Sequence, residues 1–394
     1  MGTPATEPSE PLFRGYAGRL LVTVSLGWTL LQGGRLVLSP LLPTISADLG
    51  LSHAQAGFAF TVLWGLYAVL QYPSGRLSDQ LSRKTLLVAG LSLAAVGFVL
   101  LGVAGSYAWF LVGAAVAGTG VGLYPTPVRA FLSDLFVERR GQAFGLHTAA
   151  GDLGGLLAAG LATLVLAVAT WRWAFLPVVL ALAVVTLAVH RWSREPYELR
   201  RVDLAVRETG RRLLGAGGFR GLLVAYMLYS MVWQSTSAFL PTFLLVGKGF
   251  SPAVANAGFG VYFLVGAVVK PAAGGLADRV PRGLLAASLL TLAAVTMAVV
   301  LVVRSPLLVG LGVVVFAAGL MAFPPVMQAF LMDAFPTASM GGDLGGMRSM
   351  YVAVGALGPT LVGLVADATS FTVGFALLVG CLAVSTVLVL VVVR

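Results

Sequence analysis

Apolar stretches follow one another along the whole chain, separated by short polar or charged segments. Each stretch holds roughly 20 residues, which as an α-helix is long enough to cross the hydrocarbon core of a bilayer. The pattern therefore predicts an all-α membrane protein. The predicted membrane-spanning helices cover residues 17–42, 55–74, 85–104, 107–131, 141–168, 172–190, 221–246, 255–274, 283–303, 306–330, 345–366 and 371–393.

The two halves of this pattern are related by an internal repeat at a spacing of 199 residues. The segment Gly75–Asp79 with Arg83 recurs as Gly274–Asp278 with Arg282, and Phe131–Phe136 recurs as Phe330–Phe335. Two similar halves built from apolar helices are typical of secondary transporters, which bind their substrate between the halves. We predict an N-terminal six-helix bundle over residues 1–190, a linker over 191–220 and a C-terminal six-helix bundle over 221–394.

Composition agrees with a membrane location. Hydrophobic residues make up 58% of the chain and charged residues 10%, against about 45–50% and about 25% in soluble domains. The net charge of +10 would suit a nucleic-acid partner, but its distribution argues against one. If both termini are cytoplasmic, nineteen of the 25 Lys and Arg residues, Arg348 among them, fall in cytoplasmic segments. This positive-inside distribution predicts a multi-pass protein of the cell (inner or plasma) membrane with cytoplasmic termini.

The predicted linker is the one long segment without hydrophobic periodicity. Its residues 202–214 would form a short basic helix that lies on the anionic lipids of the inner leaflet. A solvated linker that binds no lipid explains the same residues equally well.

The segment Gly75–Lys84 resembles the signature loop between the second and third spans of the major facilitator superfamily. A degenerate copy at Gly274–Arg282 lies where that family carries its second loop, and Ser82 replaces the usual glycine. The resemblance covers essentially the whole chain. It implies the major facilitator fold, with twelve transmembrane helices in two pseudo-symmetric six-helix bundles, and transport by alternating access.

Acidic and basic residues at the ends of spans are candidate gate residues. Asp134 ends the fourth span and can pair with Arg83, while Asp79 faces the positive N-terminal end of another helix. The resemblance implies that the Asp79 set bridges to the eleventh span and closes the cytoplasmic side. By symmetry, Asp278, Arg282 and Asp333 would act in the same way in the second half. Plain topological charges are the alternative reading of such residues.

Charges inside the spans that occur in one half alone indicate chemistry, because a requirement of the shared fold would appear twice. Arg35, Arg129, Asp152 and Lys270 are such residues, and burying each in hydrocarbon is expensive. Gln234 stands at the position equivalent to Arg35. We expect Arg129 to extend its side chain to the cytoplasmic surface.

Arg35 is the first candidate for substrate binding. A guanidinium group can hold a carboxylate or phosphate in bidentate fashion. In the superfamily the first span lines the cavity, and the segment from Arg35 to Ser52 resembles that of its organic-anion symporters. The acid that usually precedes this arginine is replaced by Gly34. Hydrogen bonding of Arg35 to helix carbonyl groups is the structural alternative. The remaining candidates for substrate contact are Lys270, Gln32, Gln234, Tyr67, Tyr124 and Trp233.

Asp152 is the one acidic residue well inside a span, and burial favours the neutral form of a carboxyl group, as a proton carrier requires. The resemblance implies that the fifth and eighth spans meet, so Asp152 and Lys270 can form a pair that responds to protons. A static buried ion pair is the alternative. His147 either relays protons to Asp152 or packs in the core.

The leading functional hypothesis is proton-coupled transport of a small organic anion by a monomer. A drug:proton antiporter is the second, although the fifth-span antiporter motif is damaged where Asp152 replaces its proline. A receptor or scaffold on the same fold is the third. We find no enzyme signature and expect no metal or other cofactor, since the three histidines are widely scattered.

Overall fold

The computed structural model describes residues 11–198, 220–334 and 340–393, and these residues fold into helices without any β-strand. The helices of the first half are α1 (Gly15–Leu36), α2 (Leu38–Leu49), α3 (His53–Gln80), α4 (Arg83–Gly102), α5 (Tyr107–Gly122), α6 (Pro125–Leu135), α7 (Arg140–Val168) and α8 (Phe175–Trp192). Those of the second half are α9 (Arg220–Thr242), α10 (Pro252–Ala277), α11 (Arg282–Val302), α12 (Pro306–Ala334), α13 (Met340–Gly355), α14 (Leu357–Ala368) and α15 (Phe371–Val393).

Eleven of the described segments are long and apolar enough to cross a membrane. The predicted seventh span, α9, is 23 residues long but falls outside that set. Its polar run Gln234–Ser237 explains this result, and the structure buries all four of these side chains inside the protein. Together with the interior position of α9, the eleven segments give the all-helical fold that the hydrophobic pattern predicts.

Three spans are made of two consecutive helices. The first span breaks at Val37, the fourth at Leu123 and Tyr124, and the eleventh at Ala356. Pro125 begins the second helix of the fourth span, where its missing N–H removes no helical hydrogen bond.

The up-and-down order of the helices gives the molecule two faces. The termini face carries Gly15, Leu81, Phe136, Ser193 and Val393, and the distal face carries the opposite helix ends. The two halves meet through α3 against α13 and α14, α7 against α10, and α2 against α9. The predicted basic helix and most of the predicted linker lie outside the described residues.

The distal face is closed by contacts between the halves. The Asp367 carboxylate at the end of α14 accepts hydrogen bonds from the backbone N–H groups of His53 and Ala54, at 2.9 and 2.8 Å. The Ser39 hydroxyl donates to the Ala238 carbonyl at 2.8 Å. Gly57 approaches the backbone of Pro359 so closely that a Cβ atom would not fit.

A cavity of about 430 Å³ lies between the halves and extends toward the termini face. It is lined by the termini-side parts of α3, α6, α9, α12 and α13, and the side chains of Arg129 and Gln328 are exposed within it. The structure therefore shows a transporter-like arrangement that is closed at the distal face and open at the termini face.

Candidate functional site

The cavity wall is rich in basic, aromatic and amide side chains. Of the described residues that line it, none is acidic. The polar and aromatic members of the wall are Gln71, Tyr72, Arg76, Ser78, Thr126, Arg129, Tyr226, Gln328, Arg348 and Tyr351.

Arg35 lies behind this wall, one side chain farther from the cavity, and is only 3% exposed. Its Cζ atom is 3.9 Å from the centroid of the Trp64 ring and 4.7 Å from that of Tyr67. Such stacking stabilises a guanidinium group without neutralising its charge. The Nε and Nη1 atoms of Arg35 have no hydrogen-bond partner. This buried cation therefore keeps donors available.

Two other residues of α1 lie on the same face of the helix as Arg35. Trp28, Gln32 and Arg35 are spaced four and three residues apart, so they share one face of the helix. Trp28 also stacks under the Arg35 guanidinium at 5.5 Å. Gln32 is buried, and its Oε1 atom has no partner. Gly34, which replaces the usual acid, packs against Phe98, where a Cβ atom would not fit.

Arg348 is a cavity residue that is absent from the candidates for substrate contact. It lies two turns inside α13, within a predicted membrane span, and lines the cavity. Its Nη2 atom is 3.4 Å from the Tyr67 hydroxyl, and its Nε atom is buried without a partner. Like the other charges that occur in one half alone, Arg348 has no charged counterpart in the other half, since the residue 199 positions earlier is Ala149.

Arg129 begins the second turn of α6, and its exposed side chain lines the same cavity, which extends toward the termini face. Arg129 and Arg348 thus come from opposite halves of the chain and share one cavity.

The aromatic candidates form a connected group around Arg35. Trp64 meets Tyr67 edge to face at 5.6 Å and Trp233 at 5.2 Å between ring centroids. Trp233 comes from α9, and its Nε1 atom donates to the Met321 sulfur at 3.4 Å. The rings of Trp64 and Trp233 therefore join the two halves beside the Arg35 guanidinium.

Two other candidates have mainly structural partners. The Tyr124 hydroxyl donates to the Val24 carbonyl at 2.8 Å, and the Tyr124 ring is fully buried, so this residue fixes α1 and does not reach the cavity. The Gln234 amide donates to the Ser230 hydroxyl at 3.0 Å and to the Val352 carbonyl at 2.9 Å. Gln234 thereby ties α9 to α13.

The structure brings Asp152 and Lys270 together. The Lys270 ammonium donates to both carboxylate oxygens of Asp152, at 2.6 and 2.8 Å. The Asp152 side chain is 7% exposed and that of Lys270 is 23% exposed. Gly151 and Gly155 allow Trp28 and Phe263 to approach α7 on either side of Asp152. Lys270 is held by this pair and does not stand in the described cavity wall with Arg129 and Arg348.

His147 lies on α7 before Asp152 and is buried. Its ring stacks on Trp28 with 6.0 Å between centroids and an interplanar angle of 25°. Its Nδ1 atom has no hydrogen-bond partner. His147 therefore packs in the core, and its Nδ1 atom is left without a hydrogen bond.

The predicted gate residues lie at the termini face. Arg83 pairs with Asp134 at 2.8 Å, and Arg282 pairs with Asp278 at 3.2 Å. Arg282 also donates to the Ala329 carbonyl at 3.3 Å. The side chains of Asp79 and Asp333 lie outside the part of the chain that the structure describes.

Comparison with known proteins agrees with this architecture. A probable sulfoacetate transporter of Cupriavidus necator is 33% identical over 143 residues, or 36% of this chain and 33% of that protein. A probable 4-methylmuconolactone transporter of Cupriavidus pinatubonensis is 32% identical over 154 residues, or 38% of this chain and 36% of that protein. The chain thus matches about a third of the length of each of these relatives.

The fold is shared with solved structures. A bacterial homologue of the human lysosomal transporter Spinster, in an inward-facing and unoccupied conformation, superposes with a TM-score of 0.82. Its sequence identity is 17%, and the superposition covers 97% of this chain and 98% of that one. Residues 24–342 and 222–394 match the sequence profile of the Major Facilitator Superfamily. The chain therefore belongs to the Major Facilitator Superfamily, as a multi-pass membrane transporter and not an enzyme.

Proposed function

We propose that this protein is a proton-coupled secondary transporter of a small organic anion. One observation carries the proposal. Arg129 and Arg348 line the cavity between the two halves, Arg35 lies buried behind Tyr67, and none of the described lining residues is acidic.

Arg35, Arg129 and Arg348 pair with no carboxylate among the described residues, which favours an anionic ligand. A buried charge that lacks a partner costs several kcal/mol, and an anion between the arginines would supply the missing hydrogen-bond acceptors. Arginine suits this role because its planar donors match a carboxylate, sulfonate or phosphate group. The same charges would repel a lipophilic cation, which disfavours export of cationic drugs. Sulfoacetate, named for one relative, is an organic anion.

The Asp152–Lys270 pair supplies a means of coupling. The two residues belong to α7 and α10, which contact each other across the interface between the halves. Protonation of Asp152 would break the ion pair and release Lys270, which could then contribute a positive charge to substrate binding. Loss of this proton from Asp152 would restore the pair. His147, with its free Nδ1 atom, would relay protons to Asp152.

We also propose the orientation and the gate. The distribution of Lys and Arg favours a cytoplasmic termini face in the cell membrane, so the described state would be inward-open. The ion pairs of Arg83 and Arg282 would act together with Asp79 and Asp333 in closing this face. We expect a monomer surrounded by membrane lipid.

Transport in proteoliposomes tests this function. Purified protein is assayed with a panel of carboxylates, sulfonates and phosphates, with and without an inward proton gradient. We expect Arg35→Gln to abolish transport of the anion that the panel identifies. Asp152→Asn should retain counterflow and lose accumulation driven by the proton gradient. Arg304→Gln, in an exposed loop of the distal face, is the matched control and should behave as wild type. Transport of ethidium that is insensitive to Arg35→Gln would contradict the proposal.

A further inference from the structure

We propose that the cavity selects a dianion, a small organic molecule with two acidic groups. Arg129 of the N-terminal half would bind one group, and Arg348 of the C-terminal half would bind the other. This inference rests on the proposed function and specifies the charge of its substrate.

The positions of the two arginines are the first argument. Arg129 lies on α6 and Arg348 on α13, and both line the same cavity of about 430 Å³. Arg348 keeps a buried Nε donor without a partner, and its bond to the Tyr67 hydroxyl is long at 3.4 Å. An acidic group on the substrate can therefore bind Arg348 with little loss of existing contacts.

The local balance of charge is the second argument. Four of the described carboxylates, those of Asp48, Asp134, Asp152 and Asp278, form ion pairs with bases other than these arginines. Arg35 adds a third positive charge behind Tyr67. Among the arginines that line the cavity, Arg129 and Arg348 come from opposite halves. A monoanion would leave at least one of these two uncompensated, whereas a dianion would neutralise both.

The origin of the arginines in opposite halves has a mechanical consequence. A dianion bound to both would hold α6 and α13 together and favour closure of the termini face around the substrate. A monoanion bound to one arginine would contact one half and would not favour closure. The number of acidic groups on the substrate would thus determine whether it connects the two halves and favours closure.

The test is equilibrium binding to the purified full-length protein at matched ionic strength. The probes are succinate and sulfoacetate as dianions, and monomethyl succinate and methanesulfonate as their monoanionic counterparts. We expect at least one dianion to bind about tenfold or more tightly than its counterpart. Arg348→Gln and Arg129→Gln should each reduce this ratio to near one. Arg348→Lys, which keeps the charge, should retain part of the preference. Arg304→Gln should leave the ratio unchanged.

The outcomes separate this inference from the proposed function. Equal binding of dianions and monoanions that is lost in Arg35→Gln would overturn the dianion inference and leave anion transport standing. A dianion preference that survives Arg348→Gln and Arg129→Gln would also overturn it. Absence of binding for all four probes would count against a dianion of this size. Binding of lipophilic cations alone would overturn both proposals.

Discussion

Removal of the Asp367 carboxylate should open the distal face. This group accepts two backbone hydrogen bonds from the first turn of α3, at 2.9 and 2.8 Å, and so links the eleventh span to the second. Those N–H groups have no partner within their own helix, since they belong to its first turn. When the halves separate at this face, both bonds must break.

The size of the effect follows from the energy of a helix cap. Replacing a capping carboxylate by alanine costs about 1 kcal/mol, within a range of about 0.5–2 kcal/mol. Asp367 is exposed to solvent, which places its contribution near the middle of the range or below it. Asp367→Ala should therefore shift the equilibrium toward an open distal face by a factor of about five, since 1 kcal/mol corresponds to that ratio.

Distances between spin labels across the distal face measure this shift. Labels at Gly105→Cys and Ser305→Cys, in a Cys381→Ser background, report on one exposed loop from each half. Asp48→Ala is the matched control. The Asp48 carboxylate also lies at the distal face, but its partners Arg172 and Trp171 belong to its own half.

We expect the population with the longer distance to rise about fivefold in Asp367→Ala and to stay unchanged in Asp48→Ala. An unchanged distribution in Asp367→Ala would refute the assignment of Asp367 as a contact that keeps the distal face closed. The same shift in Asp367→Ala and Asp48→Ala would indicate a general loosening of the distal face, and it would also refute this assignment of Asp367.

Three further predictions concern other contacts. Asp152→Asn and Lys270→Met should each lower the free energy of unfolding, because each leaves its buried partner alone. In a double-mutant cycle measured by thermal unfolding, the double variant should recover about 1–3 kcal/mol of this loss. Additive effects of the two single substitutions would exclude a coupled pair. Tyr124→Phe should cost about 1 kcal/mol of stability for one lost hydrogen bond while leaving transport unchanged, and a lost substrate affinity would show that Tyr124 reaches the cavity after all. Arg83→Gln should change stability by less than about 1 kcal/mol because its bond to Asp134 is exposed, yet alter transport rate; an unchanged rate would remove Arg83 from the gate.

Much of the fold follows from the sequence because the membrane restricts the choices of the chain. Apolar segments of sufficient length become spanning helices, and the repeat shows how they divide into two sets. The neighbouring positions of Asp152 and Lys270 could be expected from their similar depth together with the family resemblance, which implies that the fifth and eighth spans meet. Depth is readable from a linear sequence since a helix rises by a fixed distance per residue.

The direction in which a side chain points is harder to predict. Arg348 looks like a topological charge because it lies near the start of the predicted eleventh span, and only the position of α13 shows that it faces the cavity. Tyr124 has the aromatic ring and the hydroxyl group of a binding residue, but its hydroxyl already donates to the Val24 carbonyl. The sequence does not indicate a role for Asp367, because its partners are backbone N–H groups and these leave no pattern in the sequence.

The central claim is that an anion binds among arginines between the two halves. The most direct test is a thermal-shift measurement of the purified protein against carboxylates, sulfonates, phosphates and lipophilic cations, with Arg35→Gln and Arg304→Gln in parallel. The account predicts stabilisation by at least one anion, lost in Arg35→Gln and retained in Arg304→Gln, because the ligand binds the folded state. Stabilisation by lipophilic cations alone, equal in all three proteins, would contradict it.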